Sequence, residues 1–120
     1  MYKSLIVIIT LLAILGLGCA KKEYRESKIR VQHPKWDSIT VRKVAAREIE
    51  PGMTPDMVHA ALGLPDVISR TADGQEWQYQ VFVGDYQPRK ETVYTVYFNE
   101  GAVTRTTGDK NRLKTLSWDQ

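Results

Sequence analysis

One hundred and twenty residues, 42% hydrophobic and 26% charged, are enough for one small globular domain and no more. The single cysteine excludes an internal disulfide framework. The net charge of +3 conceals a split: residues 20–47 carry nine basic and three acidic side chains, whereas residues 48–120 carry seven and eleven. Nucleic-acid binding needs basic residues gathered on a folded face among base-reading side chains, and this division does not provide them.

The chain opens with Lys3 and a nearly unbroken apolar run from Leu5 to Leu17. A short positive region, an apolar core and an exit through Gly16 and Gly18 form the layout of a secretory signal peptide over residues 1–18. As a helix, Leu5 to Ala20 would reach about 24 Å at 1.5 Å per residue, short of a hydrocarbon core of about 30 Å. The stretch Leu15-Gly16-Leu17-Gly18-Cys19 resembles the lipobox of bacterial lipoproteins, although Gly16 replaces the commoner Leu. The resemblance implies lipidation of Cys19, by diacylglyceryl and N-acyl (palmitate-type) chains, and a membrane anchor. Ala20 and Lys21 follow where an inner-membrane retention signal would carry Asp, so the expected location is the periplasmic face of the outer membrane.

Residues 19–35 lack apolar periodicity and read as a flexible basic tether. Lys21, Lys22, Arg25, Lys28 and Arg30 lie where each positive charge near anionic phospholipid is worth about 1 kcal/mol. Trp36 is the first large apolar residue able to dock on a core. Asp37 or Ser38 can cap a first helix, in which Val41, Val44, Ala45 and Ile49 recur at helical spacing until Pro51 and Gly52. The second helix has fuller punctuation. Thr54 is its cap, Pro55 takes the first helical position, Met53 and Val58 have staple spacing, and Gly63 and Pro65 end it, with Leu64 folding back on the last turn.

Beyond Pro65 the period becomes two. Val67 to Thr71 is a weak strand and Ala72 to Gln75 a turn; Glu76 to Val83 alternates with Trp77, Tyr79, Val81 and Val83 on one face. Gly84 to Glu91 reads as a polar loop, Thr92 to Phe98 as a strand, and Ala102 to Thr106 as a last strand after an Asn99-Glu100-Gly101 turn. Tyr94, Val96 and Phe98 share the core face, leaving Val93 and Tyr97 on a face that can stand open. The fold class is therefore α+β, two short N-terminal helices packed on a three- to four-stranded antiparallel meander.

Gly52-Met53-Thr54-Pro55-Asp56-Met57-Val58, Leu62-Gly63-Leu64-Pro65, Trp77-Gln78-Tyr79, Val96-Tyr97-Phe98 and Gly101-Ala102-Val103 resemble, in this order, the SmpA/OmlA (BamE-like) outer membrane lipoprotein family. Met57 stands where members often carry Gln. The resemblance implies a SmpA/OmlA domain over residues 36–107, with a C-terminal tail over 108–120. Gly52, Met53, Thr54, Val58, Leu62, Gly63, Pro65, Trp77 and Tyr79 form its structural motif. It further implies a non-catalytic protein-binding module in outer membrane protein assembly or envelope integrity, with barrel-assembly proteins as partners. The alternative is a periplasmic inhibitor-like or ligand-binding module on the same scaffold, outside that machine.

Catalytic chemistry has little to work with. Asp56 and His59 share a helix but lack a third metal ligand, and no serine has an evident base. Neither an enzyme nor a cofactor is expected. Tyr86, Arg89 and Lys90, an aromatic and two cations in a polar loop, are the candidate partner-binding residues.

Overall fold

The computed structural model describes residues 23–115, with side chains to residue 113. The expected signal peptide and Cys19 lie outside the described residues. Two compact units meet between Ala46 and Arg47. Three helices are followed by a four-stranded antiparallel sheet, the expected α+β arrangement with one helix more than the periodicity indicates.

In the first unit, residues 23–32 are helical (α1), which corrects the reading of a flexible tether. Glu, Lys and Arg are good helix formers, and Glu26 stands four residues before Arg30, the favourable order for an ion pair on a helix surface. Charge density alone was a poor guide to flexibility, since it is also the composition of a solvated helix. Trp36 is only half-buried and stacks face to face on His33, with ring centroids 3.7 Å apart. Of the two candidate caps it is Asp37 that starts α2 (Ser38–Ala45), its carboxylate accepting from the Thr40 N–H at 2.7 Å. That bond holds the Asp37 carboxyl below its ordinary pKa. Val41, Val44 and Ala45 are its buried residues. The helix stops well before Pro51 and leaves Ile49 outside, because Arg47 turns to φ 61°.

The second unit begins at Arg47. Thr54 caps α3 (Pro55–Leu62) by accepting from the Met57 N–H at 3.4 Å, and Val58, Ala61 and Leu62 are buried. Gly63 closes α3 with φ 81° and ψ −171°, a region open in practice only to glycine. This is not the left-handed cap that turns a following residue back on the helix. Leu64 consequently points to solvent, 73% exposed, contrary to the expected fold-back.

The sheet runs in the order β1 (Val67–Arg70), β2 (Gly74–Val83), β3 (Arg89–Asn99), β4 (Ala102–Gly108), each strand antiparallel to the next. The weak first strand is real. β2, β3 and β4 extend beyond their expected ends, since ladder pairing recruits polar residues whose sequence carries no strand signal. Glu100 at φ 53° and Gly101 at φ 80° make the tight β3–β4 turn, in which both central residues need positive φ.

Directly opposed residues share a face, so Trp77 with Val96, Tyr79 with Tyr94 and Gln75 with Phe98 define the core side. The Trp77 and Phe98 rings meet at 4.9 Å, tilted by 58°. Val93 was expected on the other face but is buried, because a β-bulge breaks the register between Tyr79 and Gln80 and shifts the alternation of β3. Two bonds tie the start of α3 to the edge strand β4: Gly52 N–H donates to the Val103 carbonyl and Val103 N–H to the Met53 carbonyl, each at 2.8 Å. Tyr79 Oη donates to the Gly63 carbonyl at 2.9 Å and fastens the other end of α3 over β2.

The C-terminal tail also needs correction. Residues Lys110–Thr115 form a 3₁₀ turn beside β2 and β3, and Leu113 is among the most completely buried side chains of the described chain. Lys110 Nζ donates to the Arg47 carbonyl, and Arg112 reaches Glu91 at 3.3 Å. A polar sequence with one leucine gave no sign of this, since a single apolar residue has no period.

Candidate functional site

The motif residues build the scaffold. Val58 is fully buried, Leu62, Trp77 and Tyr79 are nearly so, and Met53 is buried beneath the α3 cap. Gly52 and Met53 are spent on the pairing with β4, Thr54 on the helix start, Gly63 on its end, and Pro65 leads out of it.

Tyr79 illustrates how far the core reaches into electrostatics. Burial, then the neighbouring Tyr94 and Asp66, push the Tyr79 hydroxyl far above its ordinary pKa of 10.0. Burial raises Tyr94 as well, against a bond with Thr106. A raised acid pKa means that the folded state keeps the proton longer than the unfolded chain. The stabilisation is whole below about pH 10 and is lost as pH climbs toward the folded value. Tyr79→Phe is therefore expected to flatten the loss of stability above pH 10 in urea titrations. At pH 7 it should cost about 1 to 2 kcal/mol, from the Gly63 carbonyl left without its donor.

The opposite sheet face is composed differently. Gln78, Gln80 and Thr92 form a side-chain ladder, with Gln80 Nε2 donating to Thr92 Oγ1 at 3.2 Å and Thr92 Oγ1 to Gln78 Oε1 at 3.3 Å. Arg105 lies over the Tyr97 ring at 3.7 Å, so the residue expected on the open face is there, half-buried and capped by a cation.

Toward the β2–β3 turn the polar ladder gives way to Phe82, 69% exposed, with Lys90 Nζ 5.5 Å from its ring centre. The loop beyond it carries Tyr86, fully exposed. Arg89 and Lys90 prove to be the first residues of β3 and not loop residues. Lys90 pairs with Phe82 and shares its face, whereas Arg89 pairs with Val83 and belongs to the other side. Of the three residues expected to act together, Lys90 stands against Phe82, which sequence reasoning passed over, and Tyr86 is exposed in the loop that follows. Its signal was available: in Gln78-Gln80-Phe82 an aromatic occupies the polar register of an alternating strand, and such a residue must face solvent or a partner.

Among the described residues, no three His, Cys, Asp or Glu side chains lie close enough to hold a metal, and Asp56 and His59 stay a pair on α3. A shallow depression at the far end of the sheet, lined by Pro55, Arg70, Thr71, Gln75, Phe98 and Glu100, offers one cation, one carboxylate and a hydroxyl, and the Thr71 hydroxyl already accepts from the Gly74 N–H at 3.1 Å. The described surface thus carries two exposed aromatics, Phe82 and Tyr86, and the cation Lys90 at the β2–β3 end of the sheet, beside a hydrogen-bonded polar face. The family model described as "Outer membrane protein assembly factor BamE domain" matches residues 40–108. No curated protein matches the chain.

Proposed function

The chain belongs to the BamE family of outer membrane protein assembly factor domains, and from that premise we propose that it is a lipid-anchored, non-catalytic binding module acting on the periplasmic face of the outer membrane. The family match carries this reading. In it, Cys19 holds the chain to the membrane, and the Phe82, Tyr86 and Lys90 hairpin meets a component of the barrel-assembly machinery. Aromatic side chains have only two side-chain torsions to fix on docking, which suits Phe82 and Tyr86 as anchors of a contact. Arg89, on the other side of β3, is peripheral to it.

Two experiments test the parts separately. Cys19→Ala is expected to abolish incorporation of radiolabelled fatty acid and leave the precursor uncleaved; equal labelling of both proteins would overturn the anchor. Pull-down from detergent-solubilised membranes is expected to recover barrel-assembly components with the unaltered chain. Phe82→Ser with Tyr86→Ser should weaken the contact about thirty-fold or more, as the loss of two aromatic anchors at about 1 to 2 kcal/mol each implies, and reduce that recovery accordingly. Because both side chains are exposed in the described structure, the variant should melt with the parent protein. Undiminished recovery would move the contact elsewhere on the domain.

A further inference from the structure

We propose that α1 lies along an anionic membrane surface through a stripe made by Tyr24, Lys28 and Val31, a docking face distinct from the hairpin. The proposal extends the anchor reading of Cys19, on which it rests for the helix's nearness to the bilayer. Its starting point is the helical state of residues 23–32, which turns a run of charges into a two-sided surface. Residues 24, 28 and 31 are spaced by four and three, so they stack on one side of the helix. All three are exposed, Tyr24 by 69% and Val31 by 83%, with Ser27 between them. Ile29 lies across the helix and is 7% exposed, which fixes the inner side. The helix therefore spends its one buried aliphatic inward and still shows an aromatic and a β-branched residue outward, although either could have been polar at no cost to folding.

The chemistry of the stripe selects its occupant. Tyr with its apolar ring and polar tip, Val, and a Lys that buries its stem while keeping its ammonium in water, form the mixture that settles at the headgroup boundary. The charge along this stretch is complementary to anionic lipid, since residues 21–30 carry five basic and two acidic side chains. The structure also sorts the five cations expected to meet phospholipid. Lys28 and Arg30 are exposed, Arg25 is half-buried toward the inner side, and Lys21 and Lys22 precede the described residues. Lys28 sits within the stripe and is the cation on which contact turns.

The test uses the mature chain from bacterial membranes, reconstituted into vesicles of phosphatidylcholine alone or with 30% phosphatidylglycerol. A nitroxide is placed at Ser27→Cys, beside the stripe, or, as a control across α1 from Tyr24, Lys28 and Val31, at Glu26→Cys. With phosphatidylglycerol, the label at position 27 is expected to gain collisions with oxygen and lose collisions with a water-soluble nickel complex; the label at position 26 should change less. Lys28→Gln should lower the ratio of docked to free label in the anionic vesicles about five-fold, the equivalent of one charge at about 1 kcal/mol. A position-27 label that stays water-accessible in both vesicles, or that matches position 26, overturns the proposal. The intact mass of the same protein reports Cys19 independently. An acylated chain with a water-accessible label keeps the anchor and removes the docking face, whereas an unacylated chain whose label enters only anionic vesicles does the reverse.

Discussion

Gly108→Ala and Gly74→Ala are each expected to destabilise the domain by about 3 kcal/mol or more, lowering the melting midpoint by roughly 10 to 20 °C. A methyl at Gly74 would stand 1.9 Å from the Phe98 carbonyl oxygen, and one at Gly108 2.1 Å from that of Val93. Both obstacles are backbone atoms of β3, the strand between β2 and β4, and neither can swing aside as a side chain would. Gly108 also has φ 91°, which adds the cost of a left-handed conformation. The control is Gly101, whose φ of 80° is equally unfavourable to alanine but whose surroundings are open. Gly101→Ala should cost only about 1 kcal/mol, all of it backbone strain. Thermal unfolding followed by circular dichroism separates the two mechanisms. Equal losses at the three positions would mean that the close approach of the strands contributes nothing.

Leu113→Ala is expected to cost about 3 kcal/mol, within the range of 2 to 5 found for deleting a buried leucine. Leu113 is 1% exposed and is the apolar side chain by which the six-residue 3₁₀ turn packs beside the sheet. The Arg112 to Glu91 ion pair is almost half exposed at both ends and contributes well under 1 kcal/mol. A chain ending at Asp109 should lose at least as much stability as the point variant, since it also removes the Lys110 bond to the Arg47 carbonyl. In a domain whose whole stability is of the order of 5 to 15 kcal/mol, either change makes a large difference to the folded fraction at 37 °C. Urea denaturation measures it, and an unchanged midpoint in both variants would return residues 110–115 to the status of a tail. The family match ends at residue 108, just before this clasp.

The legible parts of the fold were those written in local chemistry. Thr54, Pro55 and Gly63 mark both ends of α3 because capping acts within a few residues of the chain, and the structure follows them to the residue. Trp77, Tyr79 and Val81 announce the core face of β2 by strict alternation, which runs on past the bulge that interrupts β3. The bulge was invisible for the same reason: Thr92 to Phe98 alternates well enough by itself, and only the pairing with β2 shows that Val93 is the extra residue. The proposed partner site was half legible. Tyr86 and Lys90 stood out by composition, whereas Phe82 needed its register, and Arg89 could be separated from Lys90 only by knowing that β3 begins at that point.

By itself, then, the sequence determined the family, the α+β order of elements, the capped helix and the identity of most core residues, since each rests on interactions between residues close along the chain. Tertiary structure decided three things that depend on distant partners. It made residues 23–32 a helix with distinct sides, moved Val93 inward through a register shift, and recruited Leu113 to the sheet. A helix side, a strand register and a lone leucine acquire meaning only from what packs against them, and that information is absent from any short window of the chain.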